Sequence, residues 1–548
     1  MLVAEAVGRT LAALGPRDVF GLIGSGNFAV SNALVAGGAR FVTARHEGGA
    51  ISMADAYAQV SGDLGVCTVH QGPGLTNAMT GLTESAKSRT PLVLVAADTA
   101  AAAIRSNFRI GQDQLVTSVG ALAERVHTPE SAVADTVRAV RRARVERRPV
   151  VLMLPLDIQA MACPDDALPA PLPAVRPTRP SAQAVSEAVD ALSRAQRPLI
   201  IAGRGARVAA AREPLEQLGE VLGALLATSA VANGLFADNP WALGISGGFA
   251  SPTAAELIGE ADVVLGVGVA LNMWTTRHGR LLSDTARVIQ IDQDPDAIGA
   301  HHRVDLGMVG DAAESTSALL SELQRRGYEG AGWRTPALAQ RIAEGSWQRT
   351  RFADSSGTER IDPRRLSLEL DRVLPAERTV AIDSGHFMGY PAMYLRVPDE
   401  QGFVFTQAFQ AVGLGLATAI GAALARPDRL TVAALGDGGT MIGLADLETV
   451  ARLRLRMLVV VYNDAAYGAE VHHFGPHGHP LDLVRFPDVD FAAVGRAFGL
   501  CGATVRSVAD LAVLRKWLDD GASPGMVLDA KVVPTVVAEW LEEAFRGH

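Results

Sequence analysis

The sequence predicts an α/β protein made of three doubly wound parallel-sheet domains. Short apolar runs alternate with stretches of helical periodicity, which is typical of parallel sheets flanked by helices. The chain has 548 residues, of which 48% are hydrophobic and 20% are charged, enough for about three ordinary cores. One proline-rich and one polar interruption divide the alternating pattern into three blocks.

The first block, residues 1–165, is expected to be one domain, and the proline-rich residues 166–180 an extended linker. Each predicted strand is a short apolar run that a helical pattern follows. The predicted strands of this domain are Val19 to Leu22, Gly65 to Val69, Pro91 to Ala96 and Pro149 to Leu154.

The second block, residues 181–330, continues the alternation. Gly203-Arg204-Gly205 follows its first strand but lacks the full Gly-x-Gly-x-x-Gly spacing, so nucleotide binding is not predicted. A polar stretch from Arg349 to Thr358 marks the next boundary. The predicted strands of the second domain are Pro198 to Ala202, Ala224 to Thr228, Asp262 to Val267 and Val288 to Ile291.

The third block, residues 358–548, is predicted to be the last domain and to contain a helix from Leu444 to Leu455. Its predicted strands are Thr379 to Ile382, Phe403 to Phe405, Leu430 to Leu435, Met457 to Tyr462 and Gly525 to Leu528.

Charge and cysteine content narrow the possible partners. A net charge of −9 argues against nucleic acid or an anionic membrane, because both select a basic surface. Cys67, Cys163 and Cys501 share no close spacing, so neither a disulfide framework nor a zinc site is indicated. Met1 to Gly15 lacks the pattern of a secretory signal, and Ala411 to Ala425 is too short to span a membrane. We therefore expect a cytoplasmic protein that acts on small molecules.

The clearest chemical signal is a pair of loops, each of which follows a predicted strand. The first reads Gly436-Asp437-Gly438-Gly439, and the second reads Asn463-Asp464-Ala465-Ala466-Tyr467-Gly468. The 24 residues between Gly438 and Asn463 are enough for a helix and a return strand, so the loops should lie side by side.

Glycines let backbone N–H groups approach phosphate oxygens, and Mg²⁺ prefers octahedral oxygen ligands that include phosphate. We therefore predict a diphosphate and magnesium site in which Asp437, Asp464 and the Ala466 carbonyl bind the metal. The alternative is two ordinary loops of an α/β sheet.

The paired loops resemble the signature of the thiamine-diphosphate-dependent enzymes, which is Gly-Asp-Gly, about two dozen residues, then Asn-Asn. Asp464 stands where the family usually has the second Asn. The order of blocks resembles the family's pyrimidine-binding, central and diphosphate-binding domains, so the resemblance covers the whole chain. It implies thiamine diphosphate and Mg²⁺ as cofactors. Some relatives bind FAD in the central domain, but FAD is not predicted here.

The segment Arg45-His46-Glu47-Gly48-Gly49-Ala50 resembles the part of this family that carries its activating glutamate. The resemblance implies that Glu47 contacts the aminopyrimidine ring and promotes loss of the proton at the reactive thiazolium carbon. A capped or paired surface acid is the alternative. Because the family builds each site from two subunits, a homodimer is the expected minimum and a homotetramer is common.

Three residues are candidates for contact with substrate. Ser25 and His70 follow predicted strands and resemble the substrate serine and histidine of benzoylformate decarboxylase; His70 is expected to donate a proton or orient a carboxylate. Glu470 lies where pyruvate and phenylpyruvate decarboxylases carry a glutamate that manages product protonation. The alternatives are a histidine hydrogen-bonded within a turn and an exposed glutamate on a helix.

Other residues are assigned to the cofactor by the same resemblance. Gln410 replaces the usual small residue whose carbonyl meets the 4′-amino group, and its side chain is expected to reach substrate. Val412 is the apolar wedge that bends the cofactor. The remaining cofactor residues are Ser384, Gly385, His386, Asp437, Gly438, Gly439, Asp464 and Tyr467. His472, His473, His477 and His479 lack acidic or cysteine partners, which favours an active-site cover over a zinc site.

The leading functional hypothesis is non-oxidative decarboxylation of a 2-oxo acid to an aldehyde, as in benzoylformate decarboxylase. The alternative is a thiamine-dependent carboligase or lyase that resembles acetolactate synthase, an aldehyde lyase or a 2-hydroxyacyl-CoA lyase. Acetolactate synthases usually carry Gln-Trp-Gln where this chain reads Ala469-Glu470-Val471-His472-His473-Phe474, which weakens that version. A non-catalytic cofactor binder is the third class, and Glu47 argues against it. The expected substrate is a 2-oxo acid, an aldehyde or an acyl-CoA.

Overall fold

The structure is a computed structural model that describes residues 1–164, 169–330 and 332–546. These residues form three six-stranded sheets in which all paired strands are parallel, and helices flank each sheet. The predicted α/β class with three doubly wound sheets is confirmed. Part of the predicted linker 166–180 lies outside the described residues, and residues 169–180 contain no helix or strand.

The first sheet is built from six strands. They are β1 (Asp18–Gly21), β2 (Arg40–Thr43), β3 (Gly65–Val69), β4 (Leu92–Asp98), β5 (Leu122–Arg125) and β6 (Pro149–Pro155). Its helices are α1 (Val3–Leu14), α2 (Phe28–Ala36), α3 (Glu47–Ser61), α4 (Pro73–Lys87), α5 (Gln112–Ser118), α6 (Ala132–Glu146) and α7 (Leu156–Gln159). The spatial order is β2-β1-β3-β4-β6-β5.

The second sheet lies in the middle of the chain. Its strands are β7 (Pro198–Ala202), β8 (Leu225–Thr228), β9 (Ala242–Ile245), β10 (Val263–Val267), β11 (Arg287–Asp292) and β12 (Leu306–Val309). The helices of this region are α8 (Ala182–Leu192), α9 (Arg204–Val208), α10 (Arg212–Leu222), α11 (Pro252–Gly259), α12 (Met273–Thr276), α13 (Ala312–Arg325) and α14 (Pro336–Glu344). The spatial order is β12-β11-β10-β7-β8-β9.

The third sheet carries the two glycine-rich loops. Its strands are β13 (Arg378–Ile382), β14 (Phe403–Phe405), β15 (Leu430–Gly436), β16 (Met457–Asn463), β17 (Cys501–Val505) and β18 (Met526–Lys531). Its helices are α15 (Pro363–Val373), α16 (Gly389–Tyr394), α17 (Gly415–Ala425), α18 (Asp437–Gly443), α19 (Leu447–Arg452), α20 (Gly468–Phe474), α21 (Phe491–Ala497), α22 (Ala512–Asp519) and α23 (Leu541–Ala544). The spatial order is β14-β13-β15-β16-β18-β17.

Every predicted strand is present, but the prediction missed β2, β5, β9, β12 and β17, and each of these lies at the edge of its sheet. An edge strand packs less of its side-chain surface, so its sequence need not be a continuous apolar run. All four side chains of β5 are only partly buried, for example. The edge strand β14 is the exception. All three of its side chains are buried, and its sequence is accordingly a continuous apolar run that could be predicted.

The predicted helix from Leu444 to Leu455 is corrected by the structure. The helical region begins at Asp437, directly after β15, continues through a 3₁₀ turn at Leu444–Asp446 and ends with α19. Gly438 and Gly439 therefore lie in the first turn of a helix rather than in a separate loop. Glycine lowers helix propensity, which is why the sequence pattern placed the helix too late.

The first and third domains pack together through α3 and α17. A methyl group on Gly421 of α17 would overlap the backbone carbonyl of Met53 on α3, so the two helices are in direct backbone contact. Nearby, the Arg45 amide donates to Asp446 at 3.0 Å, and the Arg45 guanidinium contacts Glu448 at 2.7 Å. In the described part of the chain, no helix is long and apolar enough to cross a membrane.

Candidate active site

The start of α18 and the loop that follows β16 lie side by side at the ends of neighbouring strands. β15 and β16 pair in register, with Gly436 opposite Tyr462. Asp437 Oδ1 accepts a hydrogen bond from the Gly438 amide at 2.8 Å, and Oδ2 accepts one from the Ala466 amide at 3.1 Å. The side chain of Asp437 thus connects the start of α18 to the second loop.

Asp437 is buried and Asp464 is half-buried here, and among the described residues no basic side chain forms an ion pair with either. Burial raises the pKa of Asp437 to about 6. Burial, followed by the neighbouring charge of Asp437, raises the pKa of Asp464 to about 7. Paired buried carboxylates of this kind are stabilised by a bound cation. No three His, Cys, Asp or Glu side chains of the described residues group into a complete metal site, so a metal here would need further oxygen ligands.

Two glycines at the start of α18 pack closely against neighbouring side chains. A methyl group on Gly438 would overlap the ring of Tyr467, and one on Gly439 would overlap the carboxylate of Asp383. Neither position admits a side chain, so the backbone at the start of α18 packs directly on Tyr467 and Asp383. Asp437, Asp464 and the Ala466 carbonyl offer oxygen ligands of the kind that Mg²⁺ prefers when phosphate completes its coordination.

A cavity of about 670 Å³ adjoins the two loops. Every residue of the third domain that the sequence assigned to the cofactor, the metal or the substrate lines this cavity. These residues are Ser384, Gly385, His386, Gln410, Val412, Asp437, Gly438, Gly439, Asp464, Ala466, Tyr467 and Glu470. The predicted third-domain residues are therefore brought together in one place.

Asp383 organises the cavity, and sequence reasoning missed it. Its carboxylate accepts hydrogen bonds from the amides of Ser384 at 2.9 Å, Gly413 at 3.0 Å and Gly415 at 3.2 Å. It thereby joins the turn after β13 to the segment that contains Val412. Burial raises the pKa of Asp383 to about 6. An aspartate directly after a buried strand was the available signal.

His386 is held as a neutral ring. Burial lowers its pKa to about 3, and Nε2 accepts a hydrogen bond from the Ala538 amide at 2.9 Å. The neutral ring therefore carries its proton on Nδ1, which leaves a donor for an oxygen ligand. Ser384 Oγ donates to the Gln410 carbonyl at 3.2 Å. Gln410 itself has a φ of +61°, which is uncommon for a residue with a side chain.

The histidine segment is partly helical rather than a loop, because α20 includes His472 and His473. The His472 ring lies 4.4 Å from that of His386, and the His473 ring stacks on Phe545 at 3.9 Å. These two rings are in packing contacts.

Two tryptophans form a wall that sequence reasoning also missed. Trp274 comes from the central domain and Trp540 from the C-terminal region, and their ring centroids are 6.3 Å apart. Both line the cavity beside Asp437 and Asp464. An ion pair between Arg280 and Glu543 connects the C-terminal helix to the central domain. The described residues that line this cavity include no lysine or arginine.

A larger cavity, about 970 Å³, lies between the three domains and shares Trp274 and Trp540 with the first. Arg204 and Gly205 line it as well. A methyl group on Gly205 would lie 2.6 Å from the Cα atom of Gly268. The glycines of the Gly203-Arg204-Gly205 segment therefore allow two loops of the central domain to pack closely.

The first-domain candidates form a separate group that does not line the 670 Å³ cavity. Ser25 Oγ lies 3.3 Å from His70 Nε2, and Asn77 Nδ2 donates to Glu47 Oε2 at 3.0 Å. A methyl group on Gly74 would lie 3.1 Å from His70 Cβ and 3.6 Å from Glu47 Oε1. Ser25, His70 and Glu47 are thus close together within one chain, and none of them lines the cavity that contains Asp437 and Asp464.

Three family models match the chain in order. They describe a thiamine pyrophosphate enzyme N-terminal TPP binding domain at residues 1–120, a central domain at residues 185–319 and a C-terminal TPP binding domain at residues 383–528.

Relatives match nearly the whole chain. A probable 2-ketoarginine decarboxylase AruI of Pseudomonas aeruginosa is 32% identical over 541 residues, with 95% of this chain and 92% of that protein covered. A sulfoacetaldehyde acetyltransferase of Alcaligenes xylosoxydans xylosoxydans is 29% identical, with 95% and 90% covered. A probable acetolactate synthase large subunit of Methanocaldococcus jannaschii is 26% identical, with 91% and 86% covered.

Proposed function

This chain belongs to the thiamine pyrophosphate enzymes, as its sequence predicted, and we propose that it is a non-oxidative decarboxylase of a 2-oxo acid that uses thiamine diphosphate and Mg²⁺. The observation that carries this proposal is the position of Glu470. Its carboxylate lines the cavity beside Asp437 and Asp464, and it has no hydrogen-bond or ion-pair partner within the described ranges. An unpaired carboxyl group at this place can deliver the proton that an aldehyde product requires.

The residues of the cavity divide into clear roles under this proposal. Asp437, Asp464 and the Ala466 carbonyl would hold Mg²⁺, and the Nδ1 proton of His386 would be available to the diphosphate. Val412, which is 37% exposed, would offer an apolar contact to the cofactor. When bound, thiamine diphosphate supplies the nucleophilic carbon and the electron sink for loss of CO₂. Glu470 then holds or transfers a proton on the substrate side.

Gly438, Gly439 and Tyr467 complete the cofactor side of the cavity. Ser384 and Gly385 carry the turn whose shape Asp383 fixes. The proposal assigns binding rather than proton transfer to these five residues.

The first-domain group is proposed to act in a second copy of the chain. Glu47 would promote loss of the proton from the reactive carbon, and Ser25 and His70 would contact the substrate. Supporting this, both groups are flanked by exposed apolar side chains. Phe108, which packs on His70 at 5.0 Å, is 44% exposed, and Ile442 next to α18 is 62% exposed. Such surfaces are typical of subunit contacts. We propose a homodimer as the minimum and a homotetramer as its natural extension.

Carboligation or acyl transfer is the second candidate. The relatives named as an acetyltransferase and a synthase support it. A second large cavity lies next to the first and shares Trp274 and Trp540 with it. This second cavity gives room for another substrate. None of the three relatives reported above is named a benzoylformate decarboxylase, so that finer resemblance rests on Ser25 and His70 alone.

The test is product analysis with thiamine diphosphate and Mg²⁺ on wild type, Glu47→Gln and the control Glu448→Gln. The substrates are pyruvate, a branched-chain 2-oxo acid and an aromatic 2-oxo acid. CO₂ and aldehyde from wild type and Glu448→Gln, but not from Glu47→Gln, support the decarboxylase. Hydroxyketone products support the carboligase. Equal activity in Glu47→Gln would show that the proposed role of Glu47 is wrong.

A further inference from the structure

We propose that Glu84 is a positioning residue of this active site. Its buried carboxylate, on the first domain, holds residues 407–410 of the third domain in the shape that presents Gln410 to the cofactor. This inference rests on the proposed function, because the importance of Gln410 depends on a cofactor in the neighbouring cavity.

The geometry at Glu84 is that of a carboxylate that binds two consecutive backbone amides. Glu84 Oε1 accepts a hydrogen bond from the Ala408 amide at 3.0 Å, and Oε2 accepts one from the Phe409 amide at 2.7 Å. Ser88 Oγ donates to Oε1 at 3.2 Å. Glu84 belongs to α4, so both amide contacts cross from the first domain to the third.

Glu84 is only 2% exposed, and a buried charge is costly unless other groups compensate it. No lysine, arginine or histidine forms an ion pair with it in the part of the chain that the structure describes. The two amides and the Ser88 hydroxyl are its hydrogen-bond partners, and the Arg204 guanidinium acts on it electrostatically without an ion-pair contact. Hydrogen bonds to an ionised acceptor are about twice as strong as those between neutral groups, so the carboxylate strongly favours this one conformation of the segment.

The segment needs such support because of its backbone. Gln410 has a φ of +61°, a conformation that costs free energy for a residue with a side chain. Beyond it, Asp383 binds the Gly413 amide at 3.0 Å. The chain is therefore bound by a buried carboxylate on each side of Gln410, by Glu84 before it and by Asp383 after it, and Gln410 itself lies on the cavity wall.

The same helix contacts the activating glutamate. Asn77, in the first part of α4, donates to Glu47 at 3.0 Å. Glu84 follows seven residues later in the sequence, about two helical turns, so both side chains project from the same face. A single rigid helix thus positions Glu47 of the first domain and the Gln410 segment of the third.

The first test uses cofactor-free protein. Glu84→Gln keeps the side-chain volume but replaces one acceptor oxygen with an amide donor that faces a backbone N–H. The control Glu448→Gln alters another carboxylate at the contact between the first and third domains, at Arg45. Hydrogen–deuterium exchange at the amides of Ala408 and Phe409 should be about tenfold faster in Glu84→Gln and unchanged in Glu448→Gln.

The second readout is the binding of thiamine diphosphate with Mg²⁺, which should be about tenfold weaker in Glu84→Gln. The near-ultraviolet circular dichroism of the bound aminopyrimidine should also change, because a misplaced Gln410 carbonyl alters its contact with the ring. If Glu84→Gln fails to fold, Glu84→Asp keeps the charge but shortens its reach, and the same results are expected.

Wild-type exchange at both amides together with wild-type cofactor affinity would overturn the inference. A failure of the proposed function is distinguishable from this result. A wild type that releases no CO₂ from any 2-oxo acid refutes the decarboxylase, whereas the exchange experiment on cofactor-free protein reports on Glu84 alone.

Discussion

Asp437 and Ala466 are joined by a hydrogen bond across the ends of two neighbouring strands, with the Ala466 amide 3.1 Å from Asp437 Oδ2. This contact fixes the loop after β16 relative to the start of α18. Asp437 therefore has two tasks under the proposed function, because it also offers an oxygen ligand to Mg²⁺.

Replacing Asp437 with Asn should weaken Mg²⁺-dependent binding of thiamine diphosphate by about 100-fold, because the metal loses a charged ligand. Fluorescence titration with cofactor at fixed Mg²⁺ measures this. Asp428→Asn, at an exposed residue that pairs with Arg426, is the control and should bind as wild type does. Removal of Mg²⁺ by a chelator should weaken the binding of thiamine diphosphate to wild type to a similar extent. Unchanged affinity in Asp437→Asn would exclude it as a ligand.

Asp464 should make the stability of the metal-free protein depend on pH. Its folded-state pKa is raised to about 7 by burial and by Asp437, above the ordinary value of about 4 in an unfolded chain. The folded state then binds more protons between these values, so stability falls as pH rises through this range.

Asp464→Asn removes that proton uptake. The variant should melt several degrees above wild type at about pH 8, and the difference should vanish near pH 4. Thermal unfolding without metal or cofactor checks this. Melting temperatures that differ by the same amount at every pH would contradict the assignment.

Asn77 should matter for turnover because it donates a hydrogen bond to Glu47. Asn77→Ala frees that carboxylate and should lower kcat by about tenfold, which corresponds to the loss of one hydrogen bond to a charged group. Thr76→Ala is the matched control, since the Thr76 hydroxyl donates to the Pro73 carbonyl. Steady-state kinetics should separate the two variants; equal values of kcat would show that Asn77 does not position Glu47.

Trp274 should set the size of the accepted substrate. Trp274→Ala removes part of the wall that the two cavities share, so kcat/KM for aromatic 2-oxo acids should rise relative to that for pyruvate by about tenfold. The control is Trp241→Ala, because Trp241 packs against Arg334 elsewhere in the central domain. A substrate preference that stays the same in Trp274→Ala would place the substrate elsewhere.

The strands that are buried on both faces of their sheets could be predicted from the sequence alone. Central strands such as β15 and β16 are continuous apolar runs, and their following loops contain the glycines and acids of the predicted site. Edge strands such as β5 are half-exposed and lack that signal. The start of α18 was also missed, because glycines at its first turn resemble a loop.

Residues that act through another residue were harder to predict. Asp383, Asn77 and Glu84 carry no motif of their own, and their roles depend on distances between elements that sequence spacing does not give. Trp274 was also hard to predict from the sequence, because only the packing of the central domain against the third brings it to the cavity.

Gly421 approaches the Met53 carbonyl so closely that the first and third domains should be transferred together when domains are exchanged between relatives. A chimera that inherits only one of them brings a foreign surface to an interface without room for a methyl group. The central domain carries Trp274, and neither Gly421 nor Met53 belongs to it. An exchange of the central domain alone would leave the Gly421–Met53 contact intact while it replaced Trp274 at the cavity wall.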